Sequence, residues 1–185
     1  DSRPARWRKH LKRKFMNENQ IEKLYDLLKD FSTVMLITMG GPTGCHARPM
    51  AVARVDKNTD LWLFTSRDSE KVREIEADAR VQVHGQDGRT NCVVFTGRAT
   101  VVEDRAMIRE IWKPAFKVWF PNGADDPNIV LLHVTGEQAE YWDNTGANRF
   151  RYLYQSVKAL VKGTTPEIKE GEQHGNVKLA NGVGE

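Results

Sequence analysis

Cysteine is nearly absent. Cys45 and Cys92 are the only two in 185 residues, too few for a disulfide framework and not spaced as a Cys-x-x-Cys metal clip. No apolar run approaches the roughly 18 residues of a membrane-spanning helix. No apolar segment follows the basic N-terminal stretch as a secretory signal would require, so a reduced, cytoplasmic setting is expected. The sequence contains no GxGxxG, no Walker-type phosphate loop, no HExxH, no GxSxG and no EF-hand loop. A dinucleotide-binding Rossmann domain is not expected. Internal repeats, low-complexity blocks and isolated pairs of carboxylates are missing as well. The 29% of charged residues is ordinary for a soluble globular protein, and the length fits one domain with tails.

What is present is unevenly placed. Residues 1–18 hold seven basic side chains against Asp1 and Glu18, a net +5, which leaves −2 for the rest of a chain whose total is +3. In this basic arm Trp7, Leu11 and Phe15 stand four apart. It reads as a solvated tail or as a short surface helix against an anionic partner; nucleic-acid binding is not expected of it.

The body, residues 19–143, is organised around Leu61–Asp78. An apolar strand, Leu61–Thr65, runs through a turn bearing Thr65, Ser66, Arg67 and Ser69 into an amphipathic helix that starts near Lys71. Such a junction gathers unpaired backbone N–H groups, hydroxyls and a positive helix end, the chemistry a phosphate monoester needs. The same residues also describe a helix capped by Ser66, Asp68 or Ser69. Spacing alone leaves both readings open.

Elsewhere the periodicities are simple. Asn19 and Glu22 form a capping-box pattern, with Ile21, Leu24, Leu28 and Phe31 on one helical face. Strands are expected over Thr33–Met39, His46–Val55, Arg80–Gln86, Asn91–Val102, Ile129–Val134 and Gln138–Trp142. Pro49 marks an edge or bulge within the second of these, Gly97 a bend, and Asp87-Gly88 a tight hairpin. Glu103–Trp112 reads as a short helix and Lys113–Asn122 as an aromatic loop. Residues 144–162 are expected to form a C-terminal helix, with Phe150, Leu153, Tyr154, Val157 and Leu160 spaced for packing, and 163–185 a flexible tail. Short connections between strands favour a mainly β fold with flanking helices, a closed barrel.

Adjacent Cys45 and His46 point to opposite faces of a strand and make a poor nucleophile–base pair. His84 and His133 read as ordinary sheet residues, and no metal site is expected. Trp119-Phe120 and Tyr141-Trp142 are core or interface aromatics, or flat covers for a planar ring. Arg48 is a solvated strand residue or a phosphate ligand.

His46–Met50, Asp60–Lys71 and Phe95–Ala99 together resemble the FMN-binding split barrels related to pyridoxamine 5′-phosphate oxidase. Ile111–Gly123 and Ala139–Asp143 resemble the general stress protein 26 branch. The resemblance implies a six-stranded antiparallel split β-barrel and a homodimer with FMN in clefts between subunits. Arg48 and Lys71 would meet the phosphate, helped by Ser66 and Ser69. Met50, Phe64 and Thr65 would lie along the ribityl chain and isoalloxazine. Trp119 and Phe120 of the partner subunit would cover the ring, with Trp142 in the same wall.

The sequence also departs from the oxidase itself. An aromatic loop replaces the oxidase's arginine-containing loop, and Cys92 stands where the oxidase has a flavin-contacting glutamine. Pyridoxamine phosphate oxidation is therefore not expected. Two functional readings remain: an FMN-dependent oxidoreductase with an unidentified small-molecule donor or acceptor, and a flavin sensor or store without turnover. Related barrels use deazaflavin F420 or haem, a third ligand class.

Overall fold

The computed structural model describes residues 18–41, 44–87, 91–143 and 174–179. Alternating apolar residues produce seven strands: β1 (Thr33–Gly41), β2 (Gly44–Val55), β3 (Leu61–Ser66), β4 (Arg80–Gln86), β5 (Cys92–Val102), β6 (Ile129–Trp142) and β7 (His174–Lys178). Three helices accompany them: α1 over residues 18–29, α2 (Glu70–Ala77) and α3 (Arg105–Ile111), with 3-10 turns at Pro114–Val118 and Gly123–Asp125. The strands run in the order β3-β2-β1-β4-β5-β6-β7, and β3 also pairs with β6. Every pairing is antiparallel. Strands β1 to β6 thus close a six-stranded barrel, the expected architecture.

Its interior holds Leu36, Leu61, Leu63, Val83, Val93, Phe95, Val134 and Tyr141, and α1 adds Leu24 and Leu28, with Phe31 just after it, to the same cluster. A second cluster lies outside the ring, where Trp62, Phe64, Ile129 and Leu131 pack against Ile108, Ile111 and Phe116. Strand β3 therefore buries Leu61 through Thr65 without interruption. Its two faces serve two different cores, and each large apolar side chain so buried contributes about 1.5–3 kcal/mol.

Two elements differ from the sequence reading. The strands expected over Ile129–Val134 and Gln138–Trp142 are one strand, β6, bent where the partners of Thr96 and Gly97 jump from Gln138 to Gly136. A Cβ on Gly97 would lie 1.9 Å from the Thr135 carbonyl oxygen, so glycine there lets the two backbones close on the bend. Residues 174–178, in the expected flexible tail, form β7 on the half of β6 that β3 leaves unpaired. Its inward residues Gly175 and Val177, with Leu179 after it, are too short a pattern to stand out among polar neighbours, yet Val177 and Leu179 join the barrel core. The basic arm up to residue 17 and the helix expected over 144–162 lie outside the described residues.

The seam between β2 and β3 is incomplete. Pairing covers Val55–Leu61, Arg54–Trp62 and Val52–Leu63, and then the strands separate. Beyond that point β2 continues from Ala51 back to Gly44 bonded only to β1. Pro49, which has no N–H to donate, sits in this one-sided half.

Candidate functional site

The separated strands form the walls of a cavity of about 430 Å³, lined by Arg48, Pro49, Met50 and Ala51 of β2 and Phe64, Thr65 and Ser66 of β3. Thr33 and Lys71 also reach it, as do Phe116 of the Pro114–Val118 turn and Trp119 and Phe120 just after that turn. Its size is that of a small-molecule site. Of the ten residues expected in a ligand site, Arg48, Met50, Phe64, Thr65, Ser66, Lys71, Trp119 and Phe120 line this one cavity. Ser69 stands just behind, its hydroxyl 3.2 Å from that of Thr65. Trp142 is not among the lining residues; it tilts against His174 with ring centroids 5.2 Å apart, on the part of β6 that pairs with β7. Trp119 and Phe120, expected from a partner subunit, line the cavity of their own chain.

One end of the cavity is cationic. Ser69 is the N-cap of α2, but its side chain makes no cap hydrogen bond, so the simple cap does not account for the hydroxyls of this turn. Ser66 Oγ accepts from Asn128 Nδ2 at 2.8 Å, a bond that leaves its own O–H available to a ligand. Helix α2 packs Val72, Glu74 and Ile75 inward, and this places Lys71, one turn from Ile75, over the cavity end.

Lys71 has no ion-pair partner among the described residues. Burial pushes its ammonium below the ordinary lysine range, and Arg48 pushes the same way, with Glu74 and Glu70 opposing. A half-buried ammonium held down by a neighbouring cation gains from an incoming anion.

Arg48 is not free in the same way. Its Nη2 donates to Glu74 Oε2 at 2.7 Å and its Nη1 to Thr38 Oγ1 at 2.8 Å, and Thr38 donates to the same Glu74 oxygen at 2.6 Å. His46 Nδ1 lies 2.9 Å from the other carboxylate oxygen. Burial alone would raise the Glu74 carboxyl, but hydrogen bonds from Thr38, His46 and Arg48, and the charge of Arg48, hold it down at about 2. His46, Glu70 and Glu74 could between them present ligand atoms to a metal ion. Glu74 is already engaged by Arg48, Thr38 and His46, which makes the trio an unfavourable cation site.

The other end is aromatic. Phe64 meets Phe116 edge-on at 4.8 Å and Phe120 at 6.4 Å, and Trp112 at 5.5 Å supports them from behind. Trp119 is 61% exposed, a large apolar face at the rim. Trp119 N–H donates to the Phe116 carbonyl at the end of its 3-10 turn, and Arg105 holds the segment before β6 by donating to the carbonyls of Asp126, Pro127 and Ile129.

Thr38, Glu74 and Phe116 were not singled out by sequence reasoning, and His46 only as a poor nucleophile partner. One signal existed: Glu74 follows Lys71 by three residues, so the two share a helix face that must approach the barrel. Thr38 gave none, since a threonine inside an apolar strand is ordinary.

A closed antiparallel barrel, split along one seam into a cleft with a cationic and an aromatic end, defines a small-ligand-binding split barrel. The chain belongs to the pyridoxamine 5′-phosphate oxidase-like family, whose model matches residues 19–167. Within it the chain falls in the general stress protein 26 branch. It is 28% identical over 129 residues to general stress protein 26 of Bacillus subtilis, covering 66% of this chain and 88% of that one. It is 24% identical over 135 residues to protein bli-3 of Neurospora crassa, covering 67% of this chain and 65% of the length of that relative. The crystal structure of the general stress FMN/FAD binding protein of Xanthomonas citri superposes with a TM-score of 0.59 at 29% identity, covering 72% of this chain and 92% of that one. Among the described residues no helix is long and apolar enough to cross a membrane.

Proposed function

We propose that the cleft binds FMN, with the phosphate at Lys71, Arg48 and Ser66 and the isoalloxazine toward Phe64, Phe116, Trp119 and Phe120. The observation that carries this reading is Lys71: a half-buried ammonium without an ion-pair partner among the described residues, beside a second cation and a hydroxyl with its own proton still to donate, in a cavity of flavin-compatible size. Charge-assisted hydrogen bonds to a dianionic phosphate are among the stronger kinds. The FMN/FAD binding protein of Xanthomonas citri, similar at 29% identity, supports a flavin as the ligand. The exposed apolar side chains at the rim, Val118 and Trp119, suit a homodimer in which a second copy completes the ring end. The two free cysteines suit a reducing, cytoplasmic setting.

When bound, FMN supplies the redox chemistry, and the protein binds and orients it. This makes a flavin-dependent oxidoreductase acting on a small molecule the leading functional reading. A second reading, flavin held without turnover, is favoured by one observation: the described residues lining the cleft include no carboxylate, imidazole or thiol to move a proton.

The test is direct. Purified protein mixed with FMN and desalted should keep a flavin absorption spectrum, and a colourless product would reject the reading. Bound flavin that NADH or NADPH reduces, and that an added acceptor reoxidises over many cycles, selects the oxidoreductase. Bound flavin that stays oxidised selects the sensor or store.

A further inference from the structure

We infer that Glu74 is a positioning residue for the anion end of the cleft, acting through Arg48. This rests on the reading of that end as a phosphate site. Arg48 is a long side chain at the unpaired half of β2, where the neighbouring strand has peeled away. Left alone, its guanidinium would sample many rotamers, and ordering it on a ligand would cost entropy. In the structure the guanidinium is already held at two nitrogens, by Glu74 and by the Thr38 hydroxyl, which in turn donates to Glu74. These contacts use two of its five N–H donors and leave three for the cleft. Arg48 is only 18% exposed and Glu74 6%, so the pair is held in a low-dielectric setting where geometry is retained.

The same carboxylate sets the charge of the site. Arg48 and Lys71 together carry two positive charges, and Glu74 returns one. Two uncompensated cations this close would disfavour each other: after burial, the charge of Arg48 is what lowers the Lys71 ammonium, and Glu74 opposes it. Glu74 thus divides the labour: Arg48 becomes a fixed hydrogen-bond fork, and Lys71 remains the mobile charge. His46, 42% exposed and hydrogen-bonded to the second Glu74 oxygen, holds the carboxylate from the solvent side, with Glu70 3.8 Å away. The arrangement distinguishes ligands by their phosphate and is indifferent to the ring.

Glu74→Gln keeps the shape and removes the charge that orients Arg48. FMN and riboflavin dissociation constants, read by flavin fluorescence, separate the phosphate from the ring. Glu74→Gln should weaken FMN binding about tenfold, the order of one charge-assisted contact, and leave riboflavin binding unchanged. In an Arg48→Ala background, which has no guanidinium to orient, the same substitution should change neither. That double variant removes both members of the pair and so leaves no unpaired buried charge to unfold the protein.

Equal loss of both flavins would reduce Glu74 to a structural role. Tighter FMN binding in Glu74→Gln would make it a mere charge brake, and an undiminished effect without Arg48 would break the proposed route. Inorganic phosphate, followed by ³¹P line broadening in wild type and Glu74→Gln, reads the anion end without a ring. If wild type binds phosphate but no flavin, the flavin reading falls, and positioning stands or falls on the phosphate comparison. If it binds neither, both fall.

Discussion

The seam between β2 and β3 has a closed half and an open half, built from the same two strands. In the closed half Arg54 pairs with Trp62 across the ladder, and most polar groups there are spent on one another. Trp62 Nε1 donates to Asp56, its ring stacks on His133 at 4.0 Å, and His133 reaches Asp60. Arg54 is shared between Asp56 and Glu110. In the open half the polar groups are only partly spent. Arg48 is tied to Glu74, but Lys71 has no ion-pair partner among the described residues, and the Ser66 hydroxyl has a proton to give. The contrast lies in what the cations border: Arg54 lies among carboxylates and the Trp62 ring, whereas Arg48 of β2 and Lys71 of α2 line the cavity where the strands part. Inside a complete ladder a cation has carboxylates and rings within reach; where strands part, it faces a cavity.

The strongest way to break this comparison is to remove both cations of the open half. Arg48→Ala with Lys71→Ala should weaken FMN binding by about 3 kcal/mol, more than a hundredfold, from the loss of charge-assisted phosphate contacts. Riboflavin binding should hardly move. Equal losses for both flavins in a fluorescence titration would place the phosphate elsewhere.

Next in size is stability. Glu74→Ala leaves Arg48 partly buried without its partner and should cost about 2 kcal/mol, less than the ~3–5 kcal/mol of a fully buried pair. Urea unfolding at neutral pH reads it directly. The sign with pH follows from the depressed carboxyl. Its stabilising contribution is complete above the ordinary carboxylate value of 4.5 and disappears as pH falls through about 2. The gap between wild type and Glu74→Ala should therefore close in acid; a gap that persists there would mean the residue stabilises by packing alone.

A smaller effect tests Lys71 by itself. Its ammonium is lowered, so phosphate-dependent affinity should begin to fall at a pH below the usual lysine range of 10.5. The full loss should be about tenfold, the weight of one charge-assisted contact. The ratio of FMN to riboflavin affinity isolates this step from titration of the ring. A ratio that stays flat in wild type as pH rises would show that the ammonium is not in contact.

The smallest effect belongs to the closed half. Trp62→Phe loses the hydrogen bond to Asp56 and part of the stack on His133, for about 1 kcal/mol of stability. FMN affinity should be unchanged. A large fall in FMN affinity would erase the distinction between the two halves.

Most strands were legible because a period of two survives in a half-buried sheet. The cleft residues on β2, β3 and the helix after it were legible through a turn rich in hydroxyls and cations. Three things were not. Residues Ile129–Trp142 looked like two strands because Gly136 reads as a break, whereas opposite Gly97 it is a bend. Residues 174–178 looked like tail because a five-residue strand has almost no periodicity to detect. The Glu74 anchor was hidden because its partners Thr38, His46 and Arg48 are 36, 28 and 26 residues away in sequence.

By itself the sequence determined where most strands of the barrel lie, which helix faces turn inward, and that hydroxyls and cations gather at one turn. These follow from local periodicity and turn chemistry, which need no distant partner. Only the tertiary structure decided which of the two cations is compensated. Arg48 and Lys71 look alike along the chain, but barrel closure brings a carboxylate from α2 onto one and leaves the other facing the cleft. That choice depends on distances of a few ångströms between residues far apart in sequence, to which no local pattern is sensitive.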